Sequence, residues 1–362
     1  MPPFIVLSTV LLAACQAGSS TQDAGRFETI ELQSVSGETH PYLIDINGDG
    51  RLDFIEARQT SGQMAVRLGL VSGGFGKATL IESEFDPNWV RAGDLNADGI
   101  IDLVVPNHET NFISWFPGDG EGGFGPRRQI DLPDGYGPHP HVVLVEDINR
   151  DGSDDLVVDD RDERSVYILY ADENGWRPQR VDVGGDPYLA FAVADFNGDG
   201  RPDIASPNED HVAIVLQDHA GEFSIDRRID APRPFALMAE NIDGDGATEL
   251  VIASENDGYN LTLLDDDLKT VLQQWQRPPG PKQLAMGDVD GDGTRDLLVV
   301  QWNGTIWLAS GEPGQMTDET IEIEGPSAPW GAAMGDVDRD GREEIIVTDG
   351  ESDSAILLQL AD

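Results

Sequence analysis

Asp45, Asn47, Asp49 and Asp53 stand at positions one, three, five and nine of a nine-residue segment with Gly50 at position six, and the arrangement returns six more times. The later segments place Asp94, Asn96, Asp98 and Asp102, then Asp147, Asn149, Asp151 and Asp155, then Asp195, Asn197, Asp199 and Asp203 in the same frame. Asn241, Asp243, Asp245 and Glu249 follow, then Asp288, Asp290, Asp292 and Asp296, and last Asp336, Asp338, Asp340 and Glu344. Alternate oxygen-bearing side chains on a tightly turned loop converge on one point. That is the chemistry of a hard cation such as calcium, which takes six to eight oxygens at about 2.3–2.6 Å. Glycine at position six permits a positive φ at which a Cβ would clash. The acid at position nine closes the shell, and a backbone carbonyl near position seven fills the remaining gap. The segments thus predict up to seven calcium sites.

An EF-hand would carry its closing Glu at position twelve, between two helices. In the second, third and fourth segments that position holds Val105, Val158 and Ser206. The plainer alternative is a set of acidic turns, because Asp, Asn and Gly favour turns without any metal. Against it, the seven segments carry 23 carboxylates in phase, which would repel one another with no cation between them.

Stepping outward from the loops, their starting points lie 46 to 53 residues apart, and each is followed by a β-branched or aliphatic run such as LDFIEA, IDLVVP or DLLVVQ. A second apolar run and a more polar third complete each unit. Together with the stretch leading into the loop, each repeat offers four short strands, the pattern of a β-propeller blade. Six repeats announce an outer strand with a turn holding Phe75, Phe124, Trp176, Phe223, Leu268 or Met316. The seventh repeat ends after AILLQL, one strand short, while Phe27 opens FETIELQS at the other end of the chain. The expected fold is therefore all-β, a seven-bladed propeller over residues 27–362 whose N-terminal strand closes the last blade and removes an open edge.

The repeated loop, with the turns Gly74-Phe75-Gly76 and Gly123-Phe124-Gly125, resembles the FG-GAP/VCBS repeats of integrin α-subunit propellers and many bacterial surface proteins. The resemblance covers about residues 27–361. It implies a calcium-binding propeller and barely constrains activity, since one fold hosts many functions. The family also includes polysaccharide lyases on related propellers.

Formal charge is −45, a field that opposes nucleic acid and anionic membrane surfaces. Phe4 to Ala14 is an apolar segment too short to span a bilayer and suited to export. It runs into Leu12-Ala13-Ala14-Cys15, which looks like a bacterial lipobox whose lipidated residue would be Cys15, the single cysteine. MPPF lacks the positive charge with which signal peptides normally begin. The expected organisation is a signal over residues 1–14, a flexible tether over 15–26 and then the propeller. Such a chain sits in the bacterial envelope, lipid-anchored at the outer membrane, or is secreted. It would touch membrane only through its anchor and act as a monomer.

A proline precedes each innermost strand, usually seven residues ahead of the loop, and the residue after it varies: Tyr42, Asn88 with Trp89 next to it, His141, Tyr188, Phe235, Lys282 and Trp330. With the acidic loops at one end of these strands, this set belongs at the other end, around the mouth of the central channel. Aromatic rings with His and Lys suit stacking on a sugar or gripping a peptide. The alternative is that bulky side chains merely plug the channel. His139 and His141, two apart in an extended segment, can face one side as a transition-metal pair, with no third ligand evident.

Enzymatic motifs are scarce: no His-Glu-x-x-His and no Gly-x-Ser-x-Gly elbow occurs. The leading expectation is a non-catalytic, envelope-tethered propeller that binds a glycan or protein through its channel face. The competing readings are a lyase-like enzyme using His141, Lys282 and a Tyr in the same mouth, and a purely architectural envelope protein.

Overall fold

The apolar run after each acidic loop is a strand buried along nearly its whole length, as in Asp155–Asp160, Glu249–Ser254, Asp296–Gln301 and Glu344–Asp349. These strands do not alternate because neighbouring blades cover both of their faces. Farther out the pattern changes: Phe223–Asp230 alternates strictly between half-buried and exposed residues, as expected where one face meets water. Period and burial thus report each strand's distance from the axis.

The protein is described by a computed structural model covering residues 20–22, 26–33, 40–58, 61–83, 85–108, 110–133, 140–160, 164–172, 175–185, 187, 191–242, 245–255, 260–276, 280–312, 315–352 and 354–361. Among these residues every regular element is a β-strand, and the strands form seven sheets. The first blade runs Pro41–Ile44, Asp53–Arg58, Gln63–Arg67 and Thr79–Glu82 in antiparallel order. The second repeats this with its innermost strand split into Asp86–Pro87 and Arg91–Gly93, both paired with Asp102–His108. The next four blades follow the same meander. In the last, Pro329–Gly335, Glu344–Asp349 and Ser354–Leu360 are completed by Phe27–Gln33, with Phe27 opposite Leu360 and Gln33 opposite Ser354. The N-terminal strand closes the ring as the missing strand required.

Within the stretch expected as a tether, Ser20–Gln22 pairs in parallel with Thr320–Glu322 and adds a fifth strand outside the sixth blade. Cys15, His139, Tyr188 and Asp243 lie outside the described residues.

The core consists of seven apolar clusters, one between each pair of adjacent blades. Between blades one and two, Ile55, Met64 and Val66 meet Leu103, Val105 and Phe116. The closing interface is leaner: Phe54 of the first blade packs with Val337, Ile346 and Leu357 of the seventh, and Leu32 of the closing strand leans on the group.

Candidate functional site

Every acidic loop joins an innermost strand to the buried second strand. Its position-six glycine has positive φ throughout, from 79° at Gly99 to 97° at Gly246. Position four is left-handed as well in the six loops where it is described, including three residues with a Cβ, Ala97 (57°), Arg150 (61°) and Arg339 (67°). Non-glycine residues rarely adopt this conformation. Here it curls the loop so that the N–H groups of positions five and six both reach the position-one carboxylate. Asp49 N and Gly50 N donate to Asp45 at 3.1 and 2.7 Å, and Asp292 N and Gly293 N donate to Asp288 at 3.1 and 2.9 Å.

The acid at position nine sits deepest. Asp53, Asp102, Asp155 and Asp203 are fully buried, and Glu249, Asp296 and Glu344 nearly so. In most loops one oxygen accepts the position-two N–H and the other accepts an N–H from the end of the third strand or just beyond it. For Asp296 these donors are Val289 N and Gly311 N, both at 2.9 Å. Burial pushes Asp155, Asp203 and Asp296 up to about 6 and Glu344 up to about 7, against the opposing pull of those N–H bonds.

In the sixth and seventh loops the carboxylates of positions one, three and nine converge. Asp288, Asp290 and Asp296 form one group and Asp336, Asp338 and Glu344 another, each with oxygens within 4.8 Å of one another. Position five stands apart and accepts the N–H of position seven, as in Thr294 N to Asp292 and Arg342 N to Asp340, both at 2.8 Å. Asp336 Oδ1 is buried and meets no hydrogen-bond donor among the described residues. A buried, unpaired carboxylate oxygen beside two more acids fits a cation, because burial without a partner is costly. In loops one, three and four the position-three Asn carbonyl accepts the position-five N–H, as the position-three carboxylate does in loops six and seven. Glu56, twelfth from Asp45, lies on a strand and pairs with Arg67 at 2.7 Å, so it closes no EF-hand loop.

At the opposite end of the innermost strands, residues from all seven blades enclose a central cavity of about 550 Å³. Trp89, His141, Phe235, Lys282 and Trp330 all line it. Tyr42 does not: the first proline stands only four residues before its loop, so Tyr42 pairs with Ile55 inside the strand, under the Arg91 guanidinium 5.1 Å from its ring. His40 occupies that part of the wall and meets Trp89 edge-on at 4.5 Å. Burial, with the charges of Arg91 and Lys282, lowers His40 to about 3, and its Nδ1 lies 3.1 Å from Gln283 Oε1.

Trp302 and His108 also reach the cavity and were not anticipated from the proline-adjacent set. The Lys282 ammonium lies 2.9 Å from the Trp330 ring centre and 5.2 Å from that of Trp302, while Phe235 abuts Trp302 at 5.2 Å. His108 Nε2 and His141 Nε2 are 3.1 Å apart. The indole N–H groups of Trp89 and Trp330 are buried and have no acceptor among the described residues. The cavity therefore combines aromatic faces, two cations and unspent hydrogen-bond donors.

A family profile for FG-GAP-like repeats matches residues 45–105, 94–158, 147–206 and 288–347. No curated protein matches the chain. Among solved structures, BBS1N in complex with ARL6DN is similar over 92% of this chain and 97% of its own, with 14% identity and a TM-score of 0.67. A Bacillus licheniformis rhamnogalacturonan lyase aligns over 93% of this chain and 76% of its own, at 13% identity and a TM-score of 0.53. An Agrocybe aegerita lectin specific for non-reducing terminal N-acetylglucosamine aligns over 88% of both chains, at 15% identity and a TM-score of 0.54. At these identities the likeness is one of fold.

Proposed function

The chain belongs to the FG-GAP-like repeat family, and from that premise we propose that it is a calcium-stabilised, non-catalytic binding propeller whose channel face takes a glycan. The observation that carries the reading is the pair of buried indole donors, on Trp89 and Trp330, that find no acceptor among the described residues in a cavity walled by aromatic rings. Sugars offer C–H faces for stacking and hydroxyl oxygens for such donors. Arg91 and Lys282 on the same wall favour a glycan that carries carboxylates. Neighbouring propellers include a lectin and a protein-bound domain, which supports a binding role and makes a protein partner the other outcome to watch for.

Calcium in this reading is structural. Asp288, Asp290 and Asp296, and Asp336, Asp338 and Glu344, would hold it, with the other five loops supplying their corresponding residues. The bound ion would neutralise clustered carboxylates and tie the first two strands of each blade together. The motif ending at Cys15 supports an exported, lipid-anchored form in the bacterial envelope.

The test is a glycan array probed with the native chain, followed by Trp89→Ala and Trp330→Ala. Glycan binding that each substitution weakens at least tenfold is expected, and binding that survives both would refute the assignment. A second reading, lyase-like chemistry, is favoured by the placement of His141 between Asp159 and His108 on the cavity wall. New unsaturated ends released from acidic polysaccharides would move the assignment to it.

A further inference from the structure

Three residues ahead of each loop, the innermost strands place one side chain at a common position in the ring. Six blades fill it with Tyr42, Leu144, Ala192, Met238, Ala285 and Ala333, and the second blade alone fills it with a charge, Arg91. Trp89 and Arg91, two apart in an extended segment, face the same side, and both line the central cavity. The guanidinium is held at one nitrogen: Nη1 donates to the Val90 carbonyl at 2.8 Å, and the group lies 5.1 Å from the Tyr42 ring centre and 5.7 Å from that of Trp89. Among the described residues it has no carboxylate partner, and burial lowers it from the ordinary arginine value. Glu240, the acid that lines the cavity, stands at the loop end of Pro234–Glu240 and makes no ion pair with Arg91.

A buried charge without a counter-ion is costly, and aromatic faces offset only part of that cost. The Lys282 ammonium adds to the positive field while lying against the Trp330 ring. The counter-charge that this wall lacks is one a ligand can bring. A planar guanidinium offers two parallel N–H donors to the two oxygens of a carboxylate. Residues of all seven blades surround the cavity, so a glycan reaches Arg91 with one end of its chain rather than side-on. Trp302, 43% exposed, offers a face on which the next sugar can stack. We propose that Arg91 anchors the carboxylate of a terminal hexuronate residue inserted end-on into the central cavity. The assignment rests on the reading of this cavity as a glycan site and names the sugar that enters first.

The experiment is calorimetric titration of the tag-free full chain, in saturating calcium, with disaccharides carrying one terminal glucuronate, galacturonate or mannuronate, each beside its carboxyl-reduced counterpart. At least one acidic member should bind one-to-one and at least tenfold more tightly than its counterpart, a comparison that needs no variant. Arg91→Met, which keeps bulk and removes the charge, should weaken that acid by about 10–100-fold and leave the affinity for the reduced sugar as it was. Arg177→Met, on the exposed outer strand of the third blade, should change neither. Melting curves report folding. Should Arg91→Met fail to fold, Arg91→Lys replaces it, keeping the charge without the fork, and should still lose about tenfold. Equal affinity for acid and reduced sugar, or an acid preference that survives the change at Arg91, would overturn the proposal and leave the cavity a glycan site. Failure of every acidic disaccharide to bind would overturn it too, with the glycan array deciding separately whether the cavity takes sugar at all. A short peptide with a free C-terminal carboxylate is the last probe, and binding by it with none by the uronides would refute the assignment to a glycan.

Discussion

Replacing Phe54 by Ala should loosen the ring at its seam. Phe54 is fully buried, packs against Phe75 at 5.5 Å and carries the Arg67 guanidinium 5.4 Å from its ring centre. Its cluster with Val337, Ile346 and Leu357 joins the first blade to the seventh and has the fewest fully buried members of the seven. The substitution removes most of an aromatic side chain where both flanking sheets are tied into the ring and collapse little, so the loss falls at about 3–5 kcal/mol. For a propeller of this length the unfolding entropy is about 0.7 kcal/mol/K, which converts the loss to a fall in Tm of about 4–7 °C. Phe223→Ala, on the half-exposed outer strand of the fourth blade, is the control and should shift Tm by less than about 2 °C. Differential scanning calorimetry reads both. Limited proteolysis of Phe54→Ala should cut first near the closing strand Phe27–Gln33. A Tm for Phe54→Ala within a degree of the control would refute the idea that this interface holds the ring shut.

Two further outcomes follow from the loops. In chelator, Tm should rise as pH falls from about 8 to 6, because native Asp155, Asp203 and Asp296 (about 6) and Glu344 (about 7) take up protons that the unfolded chain, with ordinary lower values, does not. Saturating calcium should reverse the slope, since protons then compete with the metal, and equal slopes in both conditions would contradict this; His40, at about 3 in the native state, opposes the gain only below its unfolded value of 6.5. Gly118→Ala should cost about 1–3 kcal/mol, because a Cβ there would stand 2.1 Å from the Ile101 carbonyl oxygen while the Gly118 N–H is held on Asp102 at 2.8 Å. An unchanged calorimetric Tm would show that this turn yields freely.

The repeat made the ring legible because period, turn chemistry and strand length all pointed one way, even to the closing strand opened by Phe27. The loop chemistry was legible only in part. Four position-four glycines hinted at a left-handed residue, yet Ala97, Arg150 and Arg339 adopt the same conformation without that signal. The buried role of the position-nine acid depends on a backbone N–H some 15 residues later, which local spacing does not reveal. At the cavity, residues beside the prolines could be read from their offset, but Tyr42 slipped into the strand where that offset shortened. His108 and Trp302 each lie fourteen residues after the first Asp of their loops, at the far end of the second strand, so a second fixed offset would have found them. The 3.1 Å approach of His108 to His141 joins two blades and is a product of tertiary packing alone.

The most direct test of a calcium-laced propeller is a calorimetric melt of the full chain, first with calcium at about a hundredfold excess over its dissociation constant and then with excess chelator. Each occupied loop contributes about 2.7 kcal/mol under the first condition, or about 4 °C of Tm at the entropy given above. Several occupied loops therefore predict a fall of about 10 °C or more on chelation. Melts that coincide within a degree would contradict the account and leave the seven acidic loops as turns alone.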